Sequence, residues 1–213
     1  MRYALLICTD EKAVVALSPE ERTAALNEYL AFSEEMGKRG VLQGGLKGVE
    51  RESLRVTPTG QISKAPHPRA LGSALTNEHV TTDYSEALIE LVTPAFPETW
   101  ELTQYLCDLH QFVYRHLGDE LLWATSMPCA IKGDESIPIA EYGRSNVGTM
   151  KTVYRRGLGL RYGRVMQAIS GVHFNYSLPD QFWPVFESLL ESRLTGQAFS
   201  SEQYFSVLRN YRR

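Results

Sequence analysis

The sequence predicts an α+β protein, and three observations predict it. Runs at Val49–Val56, Tyr84–Val92 and Arg164–Ser177 read as strands. Between the second and third, Leu102, Leu106, Leu109, Val113 and Leu117 recur at helical spacing, so a helix buries one stripe there. Turn and stop residues (Thr59-Gly60, Pro94 and Gly118) stand at the borders of these runs.

The elements follow in order. Arg2 to Cys8 is a continuous apolar run suited to a buried strand. Ser18-Pro19-Glu20-Glu21 opens a helix: Ser18 caps, Pro19 takes the first helical position, and Glu21 closes a capping box. Ala25, Tyr29, Phe32 and Met36 form its apolar stripe, and Gly40 ends it. Val41-Leu42 starts a second strand that Gly44-Gly45 breaks. Residues 1–45 resemble the beginning of a YCII-related, ferredoxin-like domain, of which they hold about half. A strand and one helix cannot bury their own apolar faces. This segment is therefore expected to pack on the rest of the chain, or to self-associate with a second copy.

After Val49–Val56, Gln61-Ile62-Ser63 reads as a short return strand, and Pro66, Pro68 and Gly72 mark a loop. Leu121 to Ala130 is a further predicted strand. The loop Tyr142-Gly143-Arg144-Ser145-Asn146 opens a basic helix that runs to Tyr162-Gly163. Two helices finish the chain, the last predicted to start at the capping box Ser200-Ser201-Glu202-Gln203. Its pattern reaches Arg213 without Gly, Pro or a polar stop, so the sequence reads as ending inside an element.

Composition bounds the function. The chain has 213 residues, 43% hydrophobic and 22% charged, with a net charge of -3. This is the profile of a soluble protein of one large or two small domains. A mildly acidic balance gives no reason to expect nucleic acid or an anionic membrane as partner. No apolar run approaches the roughly 20 residues of a membrane span, and no small-residue cleavage site follows the first apolar run. Cys8, Cys107 and Cys129 are far apart and match no metal spacing; they read as reduced thiols of a cytoplasmic protein.

The residues that carry chemistry lie on the predicted strands. Glu50 and Glu52, at i and i+2, point to one face. Two glutamates alone also suit a solvated face. Like charges side by side repel unless a cation lies between them, and a hard divalent cation, Mg²⁺ above all, suits such a pair. Glu90 sits within Ala87-Leu88-Ile89-Glu90-Leu91-Val92, where a carboxylate costs several kcal/mol unless it is paired, hydrogen-bonded or metal-bound. Asp83 opens that strand and, by itself, is a turn or cap residue. On the third strand Val165, Gln167, Ile169, Gly171, His173 and Asn175 share one face, and Met166, Ala168, Ser170, Val172, Phe174 and Tyr176 the other. The second face reads as core. The first reads as a floor for a small molecule, with the glycine letting a ligand approach the backbone. Lys151, Arg155, Arg156, Arg161 and Arg164 are either a solvated helix face or a site for phosphate or carboxylate groups. No P-loop and no Gly-rich dinucleotide fingerprint is present, so phosphate binding would run through metals and arginines.

These stretches resemble the proteobacterial type of glutamate–cysteine ligase. The matching motifs are Gly44-Gly45-Leu46-Lys47-Gly48-Val49-Glu50-Arg51-Glu52-Ser53-Leu54-Arg55-Val56, His67-Pro68-Arg69-Ala70-Leu71-Gly72 and Thr81-Thr82-Asp83-Tyr84-Ser85-Glu86-Ala87-Leu88-Ile89-Glu90. To these belong Ser126-Met127-Pro128-Cys129, Tyr142-Gly143, Tyr154-Arg155 and Ile169-Ser170-Gly171-Val172-His173-Phe174-Asn175. The resemblance runs from about residue 42, which places a domain boundary near 45/46 and assigns 46–213 to the N-terminal part of the ligase domain.

The resemblance implies a glutamine-synthetase-like fold, an antiparallel sheet curved into a half-funnel with helices outside, of which this chain holds part. It implies Mg²⁺ held by Glu50, Glu52 and Glu90 with His173 close by. It places glutamate along Gln167, Ile169, Gly171, His173 and Asn175, with Asp83, Tyr154 and Arg155 toward cysteine. Glu50, Glu52, Glu90 and Arg155 would serve the reaction itself, an ATP-dependent ligation through γ-glutamyl phosphate that begins glutathione synthesis. Two departures stand out. Arg144 takes a position where the family has a small polar residue, and the chain corresponds to less than half of a family member. The alternative reading is a non-catalytic, dimeric interaction protein built on a ligase fragment.

Overall fold

The computed structural model describes Ser18, residues 45–190 and residues 192–211. The strand–helix segment expected over 1–45 lies, apart from Ser18 and Gly45, outside the described residues. The chain divides into two compact units, one of them Lys47–Tyr176 and the other including the residues from Ser177 onward.

The first unit is built on an antiparallel sheet around β1 (Leu46–Val56). On one side β1 pairs with β3 (Leu88–Val92), which pairs in turn with β2 (Val80–Thr82). Its other side carries β4 (Leu121–Leu122), at Arg55 and Val56, and β5 (Val172–Ser177). Alternation along β1 and β3 divides the core. Ile89 and Leu91, with Val80 and Leu122, turn to one face and bury against Val113 and Leu117, helped by Leu106 and Leu109. The first helix, α1 (Thr99–Tyr114), supplies most of that stripe. Leu54, Val56 and Leu88 turn to the opposite face and join Ile62, Tyr84, Ala87, Cys129, Ile137 and Ala168. Each such leucine contributes roughly 1.5–3 kcal/mol by leaving water. The expected α+β antiparallel class is the one observed.

Helix α2 (Asn146–Tyr162) begins as the sequence predicts: Ser145 Oγ accepts a hydrogen bond from the Gly148 amide at 3.1 Å. Gly148 is buried, and a β-carbon there would collide with the Tyr142 carbonyl.

Three predicted strands are shorter than expected. Tyr84–Val92 starts only at Leu88, because Ser85 turns the chain: its hydroxyl donates to the Pro138 carbonyl at 2.7 Å and accepts from the Ala87 amide at 3.2 Å. Leu121–Ala130 stops at Leu122, because Trp123 Nε1 and Thr125 Oγ1 both donate to the Met127 carbonyl and fold the segment back. Arg164–Ser177 is a strand only from Val172. Asp134, thirty residues upstream, accepts from the amides of Arg164 and Val165 at 3.0 and 3.1 Å and starts a one-turn helix, α3 (Arg164–Gln167). The face expected to be core is buried at Ala168 and Ser170, but on the strand itself it is a correction: Val172, Phe174 and Tyr176 are 67%, 49% and 37% exposed.

In the second unit, α4 (Phe182–Leu189) and α5 (Gly196–Tyr211) meet through Phe182, Phe186 and Phe199, with Trp183 edge-on to Phe182. The last helix starts at Gly196, ahead of the predicted Ser200, where the Gly196 amide donates to Glu187 Oε2 at 2.8 Å. Among the described residues no helix is long and apolar enough to cross a membrane.

Candidate functional site

The face of β1 and β3 that buries Leu54, Val56 and Leu88 at one end carries carboxylates at the other. Antiparallel register sets Glu52 directly opposite Glu90 and Glu50 opposite Val92. Alternation then places Glu50, Glu52 and Glu90 on one surface, as the sequence predicts for the first two. Facing carboxylates repel, and among the described residues neither Glu52 nor Glu90 has a cationic side chain within ion-pair range.

The turn into β5 closes this surface from the other side of β1. The Gly171 amide donates to Glu52 Oε2 at 2.7 Å, and the Glu52 amide donates to the Gly171 carbonyl at 3.0 Å. Two residues on, His173 Nδ1 lies 3.3 Å from Glu50 Oε2, and Asn175 Nδ2 donates to Glu50 Oε1 at 2.9 Å. Gly171 has little room for a side chain: a β-carbon would stand 3.0 Å from His173 Nε2 and 3.6 Å from Glu52 Oε2. The glycine is there for close approach, the role a strand glycine next to polar groups suggests.

The electrostatics follow from this crowding. Burial pushes the Glu90 carboxyl up to about 7, and the charges of Asp83, Glu52 and Glu50 add to it while His173 opposes. Glu52 is also raised, first by burial; the Gly171 amide works against the shift, and Asp83 adds to it. His173 is raised mainly by its hydrogen bond to Glu50. The surface holds more negative charge than it can balance. Its donor chemistry, three carboxylates and an imidazole, suits a hard divalent cation. Among the described residues, however, no three His, Cys, Asp or Glu side chains converge closely enough to hold a metal ion unaided.

Asp83 reaches the cluster through its charge, and its backbone is pinned. Its carbonyl accepts from Arg155 Nε and from Tyr142 Oη, the latter at 3.2 Å. Arg155 stacks over the Tyr142 ring at 4.7 Å, so its guanidinium is engaged with Asp83 and Tyr142. Tyr142, missed as a site residue, is the joint: its hydroxyl also bonds Thr82. A buried tyrosine beside a Gly turn is the signal that would have pointed to it. Tyr154 is exposed on α2. Gln167 ends α3 and Ile169 lies in the turn before β5, so neither joins His173 and Asn175 on the strand.

Comparison with known proteins bears on all of this. The sequence model of the glutamate–cysteine ligase family matches residues 30–213, reaching into the segment expected to be separate. A glutamate–cysteine ligase of Pseudomonas putida is 51% identical over 173 residues, covering 81% of this chain and 33% of its own length. One of Pseudomonas fluorescens is 49% identical over 188 residues, covering 88% and 35%. Among solved structures, a glutamate–cysteine ligase of Francisella tularensis in complex with AMP is 40% identical with a TM-score of 0.67, covering 70% of this chain and 30% of that one. A bifunctional glutathione synthetase of Pasteurella multocida is 28% identical with a TM-score of 0.69, covering 78% and 21%. The chain spans about a third of the length of the curated relatives it matches. By family match and identity alike, it belongs to the glutamate–cysteine ligase family.

Proposed function

We propose that this chain carries the acidic substrate face of an ATP-dependent ligase that joins the γ-carboxylate of L-glutamate to the amine of L-cysteine. The observation that supports the reading best is the register that sets Glu52 against Glu90, with Gly171 and His173 closing the same surface. Glu50, Glu52 and Glu90 would hold Mg²⁺, completed by water or substrate oxygens, with His173 beside it. The metal would supply charge neutralisation for phosphate and carboxylate oxygens. Gly171 and Asn175 would orient glutamate, while Asp83, Tyr154 and Arg155 would face cysteine. The γ-carboxylate attacks the terminal phosphorus of ATP and ADP leaves; the cysteine amine then attacks the acyl carbon of the γ-glutamyl phosphate, expelling inorganic phosphate and giving up a proton to solvent. Both steps depend on positioning and on neutralising developing charge.

Phosphate release from ATP by the purified chain, with Mg²⁺, glutamate and cysteine, tests this against a Glu50→Gln, Glu90→Gln double variant. Release that needs both amino acids and disappears in the variant is expected. No release above the variant, from folded protein, would leave the non-catalytic binding reading.

A further inference from the structure

We infer that Ser126, outside the carboxylate cluster, is a positioning residue that holds Gly171 against Glu52. A chain of short bonds runs between them. The Ser126 hydroxyl donates to the Ser170 carbonyl at 2.6 Å, and the Ser170 amide donates to the Ser126 carbonyl at 2.9 Å. The two bonds of this clamp hold the peptides on either side of Ser170, and the hydroxyl's bond is the one made to the peptide between Ser170 and Gly171. The next atoms along are the Gly171 amide and carbonyl, which hold the Glu52 carboxylate and the Glu52 amide.

Ser126 is itself anchored to β1. The Trp123 amide donates to the Leu54 carbonyl at 2.8 Å, and the Trp123 indole and Thr125 hydroxyl both donate to the Met127 carbonyl. The turn 123–127 therefore occupies the edge of β1 between β4 and Gly171, and Ser126 faces the gap. A small cavity of about 160 Å³ lies there, lined by Ser126, Ser170, Gly171, Thr125, Arg51 and Glu52. Ser170 is 5% exposed and its hydroxyl has no protein partner among the described residues. Ser170 cannot therefore replace Ser126, because its own hydroxyl makes no bond across the gap. Of the two bonds of the clamp, the one to the Ser170 carbonyl depends on an exposed hydroxyl, and the other is backbone to backbone.

For function the inference rests on the proposed ligase reading; the clamp itself does not. Two measurements on the full chain separate them. The first is the backbone amide proton shift of Gly171 by NMR in wild type, Ser126→Ala, Ser126→Thr and Glu52→Gln. A charge-assisted bond to a carboxylate moves this proton downfield. Ser126→Ala is expected to move it part of the way toward the Glu52→Gln position, and Ser126→Thr, which keeps the hydroxyl, to restore it. An unmoved Gly171 amide in Ser126→Ala overturns the inference, whatever the activity. The second is Mn²⁺ binding by water-proton relaxation: loss of one hydrogen bond is expected to weaken it about two- to tenfold in Ser126→Ala and not in Ser126→Thr. If wild type binds no Mn²⁺ while the Gly171 shift moves and is rescued, the clamp stands and the metal reading falls.

Discussion

Strand β1 carries two charged clusters three residues apart, and they are settled in opposite ways. Arg55 is fully buried, yet its guanidinium pairs with Glu120 at 2.6 Å and donates to the carbonyls of Ala65 and Glu86. Ser63 bonds the other oxygen of Glu120. Glu52 and Glu90 are also largely removed from water, but they face each other, and no cationic side chain answers them among the described residues. In the first cluster the charge is paired within the protein, through two of the three Arg55 guanidinium nitrogens while the buried Nε has no partner among the described residues, and it joins β1 to the neighbouring loops. The second is left with an excess of negative charge on an open face. A charge balanced inside the fold serves the fold; a charge left unbalanced at a surface serves what binds there.

The largest expected effect breaks the closed cluster. Arg55→Ala removes the cationic partner of Glu120 and the donor to two carbonyls, and should lower unfolding free energy by about 3–5 kcal/mol in a urea titration. A loss under 1 kcal/mol would erase the distinction between the two clusters.

Glu90→Gln sharpens it from the other side. The fold raises this carboxyl from 4.5 to about 7. A raised acid is disfavoured in its ionised form, so the fold carries a penalty above about pH 7 that is relieved as pH falls toward 4.5. His173, raised above 6.5, likewise lends stability at low pH that is lost as pH rises through its folded value. Glu90→Gln should therefore be more stable than wild type at pH 8, by about 2 kcal/mol after allowing for partial exposure, with the gap closing by pH 5. Thermal melts at both pH values check this; a variant less stable than wild type at pH 8 would mean Glu90 is already balanced.

Gly171→Ala is the smallest of these. A methyl 3.0 Å from His173 Nε2 displaces an exposed ring by a few tenths of an ångström, so stability should change by less than about 1 kcal/mol while the ring shifts from its place beside Glu50. Divalent-cation titrations should weaken together with it, and an unchanged titration would separate Gly171 from the acidic face.

Much of the site was legible because strand alternation is local. Glu50 and Glu52 share a face by spacing alone, and Glu90 stood out as a carboxylate inside an apolar run. The helix from Asn146 was legible from the Tyr142-Gly143-Arg144-Ser145-Asn146 loop that opens it and from the basic run that follows. What was not legible depended on distant partners. Period-two alternation carried the third strand back to Arg164, but Asp134 caps Arg164 and Val165 from thirty residues away and makes a helical turn there. Gln167 and Ile169 thereby leave the strand face they were read onto. The pairing of Glu52 with Glu90 is a matter of register, which neither strand states alone.

Strand β5 has one consequence for motion. All six of its residues are exposed, so almost no apolar burial holds it on β1. Among the described residues, the bonds that fasten it to β1 include those of the backbone and of Glu50 with His173 and Asn175. A strand held mainly by polar contacts opens at low cost, and its amides exchange with solvent faster than those of β3. Anything that bridges Glu50 and His173 also fastens β5, so occupancy of the acidic face and ordering of this strand become one equilibrium, readable as slowed exchange at Val172–Ser177.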